Sequence, residues 1–260
     1  MDLGIRGKWG IVEAASKGLG KGSAAALAAE GVNLILNARG KETLEDTAAE
    51  IKEANPDIQL LTFAGDITKQ EVRDALINMA PQIDILVTNA GGPAPGNFRT
   101  DTRERWLAAL EAQLIGHADM ITKVVDGMVA RKFGRIVNIT SASVKMPVEN
   151  LGLSTAARMA LTGFASTISR ELVQHNVVIN NLLPGPFETD RLTGNMRFAA
   201  EQAGEAYEDV YAARVSKNPA KRFGTAEEFG AVCAFLCSTH VGFMTAQNVL
   251  MDGGAFPGNI

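Results

Sequence analysis

Cysteine and histidine are scarce in this chain. Its 260 residues include two cysteines, Cys233 and Cys237, and three histidines. The cysteines stand four residues apart in a helical pattern, which puts both on one helix face, and we expect free core thiols rather than a disulfide bridge. His117, His175 and His240 are too scattered to form a metal-ligand pattern, and we expect no metal site.

Long apolar runs and an excess of basic residues are also lacking. The chain has no run of about 18 apolar residues, and its N-terminal segment MDLGIRGKWG lacks the apolar stretch of a signal peptide, so we expect a cytoplasmic protein. Lys and Arg number 25 against 29 Asp and Glu, a net charge of −4. This balance argues against a broad basic face for nucleic acid or anionic lipid, although a local basic pocket stays open.

The remaining composition is that of a globular protein, and its pattern indicates an α/β fold. Hydrophobic residues make up 46% and charged residues 21%. Short β-branched runs alternate with longer amphipathic segments, which is typical of βαβ units around a parallel sheet. The predicted strands are Trp9–Glu13, Asn33–Asn37, Gln59–Ala64, Ile83–Thr88, Arg135–Thr140, Val177–Leu183 and Asn248–Met251. With no linker or repeat, the sequence predicts one domain, residues 1–260, built on a doubly wound, seven-stranded parallel sheet with helices on both faces.

One long segment interrupts the alternation. Residues 184–218 follow the sixth predicted strand and carry a polar, partly helical sequence. Ligands of open α/β sheets bind beyond the carboxyl ends of the strands, so this insertion is a candidate substrate lid. A pair of surface helices is the alternative.

The first βαβ unit contains a candidate nucleotide site. The first strand runs into Glu13-Ala-Ala-Ser-Lys-Gly-Leu-Gly20, and an Ala-rich helix follows. Such a glycine loop brings backbone close to a diphosphate, and the helix N-terminus favours the anion. Arg39 stands where an acidic residue would bind the 2′-hydroxyl of NAD, and Lys17 lies in the loop. Two cations suit the 2′-phosphate of NADP, so we expect NADP(H) to be preferred over NAD(H), the alternative being two solvated surface cations.

These features, with four later motifs, resemble the short-chain dehydrogenase/reductase family over nearly the whole chain. The later motifs are Asp66 in GDIT, Asn89-Ala-Gly91, Pro184-Gly185 with Thr189, and Asp252-Gly-Gly254. The nearest subgroup resembles the 3-oxoacyl-acyl-carrier-protein reductases. The resemblance implies a Rossmann-type fold, a small carbonyl or alcohol substrate, and a homo-oligomer, dimer or tetramer, whose long helices pack together through Ala156, Ala157, Ala160 and Gly163. Packing of those helices onto the sheet alone is the alternative.

The cofactor-binding residues that the resemblance implies follow the carboxyl ends of the predicted strands. They are Ser16, Lys17, Gly18, Leu19, Gly20, Arg39, Asp66, Ile67, Asn89, Ala90, Gly91, Pro184, Gly185 and Thr189.

The nucleotide loop departs from the family pattern at its first two positions. The family places Thr-Gly where this chain has Glu13 and Ala14. A methyl group at Ala14 restricts positive φ, and a carboxylate at Glu13 adds negative charge near the diphosphate, so we expect weakened cofactor affinity.

The catalytic positions depart further. The family uses Asn, Ser and a Tyr-x-x-x-Lys pair, and the matching positions here are Gln113, Ser141, Ser154 and Arg158. A phenol whose pKa is lowered by a neighbouring ammonium transfers the proton in the family, whereas Ser154 is a much weaker acid and Arg158 stays protonated. His117 is the only candidate base of suitable pKa, although a packed histidine is the alternative. Tyr207 and Tyr211 could supply a phenol only if the insertion folds inward.

Three functions remain open on the sequence alone. The first is an NADP(H)-dependent carbonyl reductase or alcohol dehydrogenase in which Ser141 orients the carbonyl, Arg158 stabilises the oxyanion, and Ser154 or a water relays the proton. The second is a catalytically silent dinucleotide sensor or scaffold. The third is a non-redox enzyme on the same fold that uses Arg158 to bind an anion.

Overall fold

The seven predicted strands form one parallel sheet in the computed structural model, which describes residues 1–259. The strands are β1 Trp9–Val12, β2 Asn33–Ala38, β3 Leu60–Ala64, β4 Ile85–Thr88, β5 Gly134–Ile139, β6 Val177–Pro184 and β7 Asn248–Met251. Their order in the sheet is β3-β2-β1-β4-β5-β6-β7, and each neighbouring pair is parallel. The predicted fold class and strand positions are confirmed, with boundaries within two residues.

Helices cover both faces of this sheet. They are α1 Gly18–Ala29, α2 Lys41–Ala54, α3 Gln70–Ile77, α4 Arg103–Leu110, α5 Gly116–Arg131, α6 Gly152–Leu172, α7 Asp190–Ala203, α8 Tyr207–Lys217 and α9 Ala226–Leu236. A π-helical turn, Glu111–Ile115, joins α4 to α5 without a break in the helical backbone. None of the helices in residues 1–259 is long and apolar enough to cross a membrane.

Two hydrophobic cores lie on opposite faces of the sheet. One contains Leu27, Leu44 and Phe229, and the other contains Met120 and Leu161. Near-continuous burial along β1, β4, β5 and β6 explains why the strands read as apolar runs, because a parallel sheet covered on both faces leaves little of a central strand in water.

The chain order of the strands reverses between β1 and β4. Helices leaving these two strands depart to opposite faces, and a crevice opens at the carboxyl edge between them. The loops that follow β1, β2, β4, β5 and β6 all end at this edge. The fold therefore gathers the sequence motifs at one place.

Cys233 and Cys237 lie at the end of α9. Both thiols are free and buried. The expectation of core thiols is confirmed.

Candidate active site

The loop after β1 brings backbone unusually close to backbone. A Cβ atom at Gly20 would lie 2.2 Å from the carbonyl oxygen of Ala14 and 3.1 Å from Asn89 Nδ2, so only glycine fits. Gly18 begins α1 at a φ of +53°, in the left-handed region that favours glycine. These two glycines shape the loop as the motif predicted.

The N-terminus of α1 offers a site for an anion. Lys17 is the N-cap, but no side chain of residues 1–259 caps the helix, and no acidic residue stands in its first turn. The free first-turn N–H groups carry the positive end of the helix dipole toward the crevice. This arrangement fits the diphosphate of a dinucleotide.

Glu13 does not project toward that anion site. Its side chain is completely buried, its Oε2 accepts a hydrogen bond from the Asn89 backbone N–H (3.2 Å), and the same oxygen lies 2.8 Å from His117 Nδ1. The carboxylate thus bridges β1, the loop after β4, and α5. We expected the Glu13 carboxylate to add negative charge beside the diphosphate. That expectation is wrong, because the side chain points into the protein interior.

His117 is correspondingly a packed residue. Only 2% of it is exposed, and it does not line the cavity beside the nucleotide loop. The structure therefore favours the packing alternative over the candidate base. The contact between Glu13 and His117 was missed by the sequence analysis. Its signal was that each is a polar residue in an otherwise apolar stretch, which indicates that both are buried and paired.

Ala14 adopts the conformation that its methyl group disfavours. Its φ is +49°, in the left-handed region. The expected backbone restriction at this position is therefore present as strain in the loop.

A recess of about 150 Å³ beside β2 and β3 fits an adenosine moiety. Its lining includes Arg39, Asp66, Ile67 and Asn89. Asp66 Oδ1 accepts hydrogen bonds from the Thr68 N–H (3.0 Å) and hydroxyl (2.9 Å), and the backbone bond is the largest cause of the lowered pKa of Asp66, with Arg39 adding to it. The carboxylate is thus held ionised to accept from a ligand.

Lys17 lies apart from Arg39. The two cations line different recesses, and Lys17 Nζ pairs with Asp190 Oδ2 at 3.3 Å, both side chains being largely exposed. Arg39 alone adjoins the adenosine recess, so Lys17 must leave Asp190 to reach a 2′-phosphate.

The catalytic candidates gather around a larger cavity of about 410 Å³. Its lining joins the nucleotide loop to the ends of β5 and β6 and the starts of α6 and α7. Predicted residues on this lining are Lys17, Gly18, Leu19, Asn89, Ala90, Gly91, Ser141, Ser154, Arg158, Pro184, Gly185 and Thr189. Gly20 lies just beneath, and Ser16 lines a separate recess between α1 and α2.

Ser154 and Arg158 lie one turn apart on α6 and touch. Arg158 Nε donates to Ser154 Oγ (3.2 Å), and its Nη1 donates to the carbonyls of Ile139 (2.8 Å) and Thr140 (2.7 Å). These bonds fasten the guanidinium to the carboxyl end of β5. Burial, with a contribution from the charge of Arg191, lowers the pKa of Arg158 to about 10, so it remains charged at neutral pH.

Gln113 completes this cluster from the π-helical turn. In the amide orientation that gives each atom a complementary partner, its nitrogen donates to Ser154 Oγ (3.1 Å) and its oxygen accepts from Arg158 Nη2 (2.9 Å). A π turn shifts the helical register, which is a common device at functional sites. Gln113 is buried behind Arg158 and supports it rather than lining the cavity.

Ser141 stands at the end of β5 on the cavity lining. Its hydroxyl accepts from the Ser143 N–H (3.1 Å), which leaves its proton free to donate. Thr140 Oγ1 next to it is buried and has no hydrogen-bond partner within residues 1–259. Ser141 is thus a hydroxyl donor on the cavity lining, in the region where a substrate oxygen would lie.

The 184–218 insertion forms α7 and α8. The start of α7 lines the cavity through Asp190, Arg191, Leu192 and Asn195. Tyr207 and Tyr211 belong to α8 and do not line the cavity; Tyr211 instead hydrogen-bonds Glu188 (3.2 Å). The insertion therefore lines the cavity but places no tyrosine in it. Arg191 was missed by the sequence analysis, because this residue belongs to no recognisable motif.

Comparison with known proteins places these features in a family. Residues 14–255 match the family model described as enoyl-(acyl carrier protein) reductase. The NADPH-dependent reductase BacG of Bacillus subtilis (strain 168) is 29% identical over 249 residues, which cover 94% of this chain and 96% of BacG. The 3-oxoacyl-acyl-carrier-protein reductase FabG of Aquifex aeolicus (strain VF5) is 28% identical over 263 residues, covering 98% of this chain and 100% of FabG.

A solved structure shows the same architecture. L-Sorbose reductase from Gluconobacter frateurii, complexed with NADPH and L-sorbose, superposes with a TM-score of 0.93 at 26% identity, covering 99% of this chain and 100% of the reductase. The similarity therefore extends over the complete sheet and both helical layers.

Proposed function

The chain belongs to the short-chain dehydrogenase/reductase family, and from that premise we propose that it is an NADP(H)-dependent oxidoreductase that interconverts a carbonyl and an alcohol at a divergent catalytic site. The observation that carries this proposal is the 410 Å³ cavity, which connects the nucleotide loop directly to Ser141, Ser154 and Arg158. Such a connection is what hydride transfer between a bound dinucleotide and a substrate requires.

Three groups of residues each bind one part of the cofactor. The first turn of α1 binds the diphosphate, Arg39 and Asp66 bind the adenosine end, and the turn from Pro184 to Thr189 holds the nicotinamide end. When bound, the nicotinamide supplies or accepts the hydride. NADP(H) is preferred over NAD(H) because Arg39 adjoins the recess where the 2′-phosphate would lie.

Ser141 and Arg158 act on the substrate oxygen. The free Ser141 hydroxyl donates to the carbonyl, and the Arg158 charge stabilises the oxygen as negative charge develops there. Ser154 Oγ, in contact with Arg158 Nε, relays a proton to that oxygen: its hydroxyl gives up one proton and takes another from a water molecule. An aliphatic hydroxyl is a poor acid, and positioned acid catalysis is worth about 10²–10⁴-fold, so we expect slow carbonyl turnover.

Turnover of a ketone and alcohol panel tests these roles. We expect kcat/KM to fall by about 10²-fold in Ser141→Ala and in Arg158→Met, because each removes a donor to the developing oxyanion. Ser143→Ala is the matched control: this buried serine lies two residues from Ser141, and its side chain does not reach the cavity. Unchanged kcat/KM in both site variants would remove these assignments, and absence of turnover with tight cofactor binding would favour the silent scaffold.

A conjugated carbon–carbon double bond is a second candidate hydride acceptor. No tyrosine lines the cavity within residues 1–259, and the matching family model is described as an enoyl reductase. Hydride addition to a β-carbon gives an enolate, which the same Ser141 and Arg158 donors stabilise and which takes its proton on carbon from water. Proton NMR of the product from an enone distinguishes a saturated ketone, which has lost the vinyl protons, from the isomeric allylic alcohol, which keeps them.

We also propose that the protein is a homo-oligomer. Ala156, Ala160 and Gly163 face outward from α6, and Met159 beside them is 52% exposed. Ala157, included in the same prediction, instead packs inward and is fully buried. The three outward small residues support close approach of a second copy's helix.

A further inference from the structure

Two arginines meet at the catalytic cavity without an acidic partner. Arg158 on α6 and Arg191 on α7 both line it. Across residues 1–259, no carboxylate oxygen lies within 4.0 Å of either guanidinium, and the carboxylate on the lining, Asp190, pairs with Lys17. The cavity therefore concentrates positive charge that the protein itself does not neutralise.

The charge on Arg158 is deeply buried. Only 9% of the residue is exposed, and its partners are the carbonyls of Ile139 and Thr140, the Ser154 hydroxyl and the Gln113 amide, all of them neutral. Burial and the charge of Arg191 lower its pKa to about 10. A buried cation without a counter-ion is costly, and a negative ligand entering the cavity would remove that cost.

Arg191, on α7, lines the same cavity as Arg158 on α6. Its Nη1 and Nη2 donate to the carbonyls of Gly92 (3.3 Å) and Pro93 (3.4 Å), bonds long enough to be exchanged for a ligand. A Cβ atom at Gly92 would lie 2.6 Å from Arg191 Nη2 and 2.9 Å from the Gln113 amide. Since that amide also bonds Arg158, the two arginines are neighbours, and the charge of Arg191 contributes to the lowered pKa of Arg158.

The other charges of the lining do not fill this space. Lys17 and Asp190 pair with each other at 3.3 Å. Thr140 also belongs to the cavity lining, but its Oγ1 is buried. Two cations therefore remain for a ligand.

We propose that Arg158 and Arg191 form an anion clamp and that the substrate carries a carboxylate beside its reacting carbonyl, as in a 2-oxo acid or the corresponding 2-hydroxy acid. This inference rests on the proposed redox function. Arg158 contacts Thr140, the residue before Ser141, so the clamp adjoins the donor of the substrate oxygen. After its four bonds to the protein, Arg158 keeps one Nη2 N–H. A carboxylate one bond from that carbonyl can accept from this N–H and from the planar guanidinium of Arg191, whose geometry matches a carboxylate.

Calorimetric titration with oxamate and its neutral counterpart oxamide tests the clamp without turnover. Oxamate presents a carboxylate beside an inert carbonyl, and oxamide differs in replacing the carboxylate by an amide. Both are titrated into the full-length protein, with and without saturating NADP. We expect oxamate to bind at least about tenfold more tightly than oxamide, since charge-assisted hydrogen bonds to a carboxylate distinguish them.

Variants separate the clamp from general charge effects. Arg191→Leu is expected to weaken oxamate binding by about tenfold or more and to abolish the preference over oxamide. Arg197→Leu removes the same charge from an exposed site on α7 that does not line the cavity, and should leave oxamate binding unchanged. Arg158→Lys retains the charge but has fewer donors, and should reduce the preference; urea unfolding of this variant verifies that it is folded.

The possible outcomes separate failure of the anion clamp from failure of the proposed redox function. Equal affinity for oxamate and oxamide, or binding of neither, would overturn the clamp. An Arg191→Leu protein that loses NADP affinity and keeps its oxamate preference would also overturn it, because Arg191 would then hold a cofactor phosphate. Arg191-dependent oxamate binding to a protein that binds no NADP would support the clamp and reject the redox function.

Discussion

Ala14 shows at the residue scale how a single methyl group can limit a nucleotide loop. Its φ of +49° is accessible to an L-residue only with strain. We predict that Ala14→Gly stabilises the protein by about 1 kcal/mol and tightens NADP binding. Urea unfolding and calorimetric titration measure the two effects, and Ala15→Gly, at a neighbouring buried position without positive φ, should destabilise instead.

The buried contact between Glu13 and His117 contributes to the stability of the fold. Glu13 Oε2 accepts from the Asn89 backbone N–H and lies 2.8 Å from His117 Nδ1, its only side-chain contact of opposite polarity within residues 1–259, and Glu13 Oε1 has no hydrogen-bond partner. We predict that His117→Phe destabilises the protein by about 3 kcal/mol, because it leaves a buried carboxylate without its partner. Unfolding free energies from urea titration provide the measurement.

A double-mutant cycle with Glu13→Gln separates the pair from simple packing. The double variant should lose less stability than the two single variants summed, because each removes the same interaction. Additive losses would mean that the two side chains contribute independently.

At this scale the sequence predicts positions that the parallel sheet brings together. Asp66 and Ser141 follow β3 and β5, and Gly18 and Gly20 begin α1 after β1, so all four lie at the same edge of the sheet, while their roles stay predictions. The inward rotation of Glu13 could not be predicted, because its partner His117 lies far along the chain on α5. Arg191 carried no motif, since its role depends on where α7 crosses the cavity.

At the scale of elements, two helices outside the sheet hold the nucleotide loop in place. α9 packs against α1 so closely that a Cβ atom at Gly230 would lie 2.1 Å from the Gly22 carbonyl oxygen. We predict that Gly230→Ala destabilises the protein by about 3 kcal/mol, because backbone must move to admit a methyl group. Thermal or urea unfolding measures this loss.

Gly194→Ala is the matched control for that substitution. Gly194 is also helical, but a Cβ atom there would have no neighbour within 4 Å in residues 1–259. The change should stabilise α7 by up to about 1 kcal/mol through helix propensity alone. Equal effects at the two glycines would show that the α1–α9 contact does not constrain the fold.

The helical insertion illustrates what element-level patterns leave open. The sequence predicts a long, partly helical excursion at residues 184–218, and the structure has the helices α7 and α8 there. Which of its residues reach the cavity depends on the angle at which α7 leaves Thr189, and hydrophobic periodicity does not specify that angle. The lid assignment therefore stays a proposal that rests on the four α7 residues in the cavity lining.

At the scale of the whole molecule, the outward face of α6 predicts association between copies. We expect the wild-type chain of 27.6 kDa to elute as a dimer or tetramer in size exclusion with light scattering. Gly163→Arg should shift it toward the monomer by placing a long charged side chain in the contact. Ala213→Arg, on the exposed face of α8, is the charge-matched control, and a monomeric wild type would reject the prediction.

The central claim is that this cavity works with a phosphorylated dinucleotide despite the replaced loop and catalytic residues. Titration of NADPH, NADP, NADH and NAD into cofactor-free protein by calorimetry tests it most directly. We predict that NADPH binds at least about tenfold more tightly than NADH, and that Arg39→Leu removes most of this preference. Equal affinity for the two, or binding of none of the four, would contradict the account.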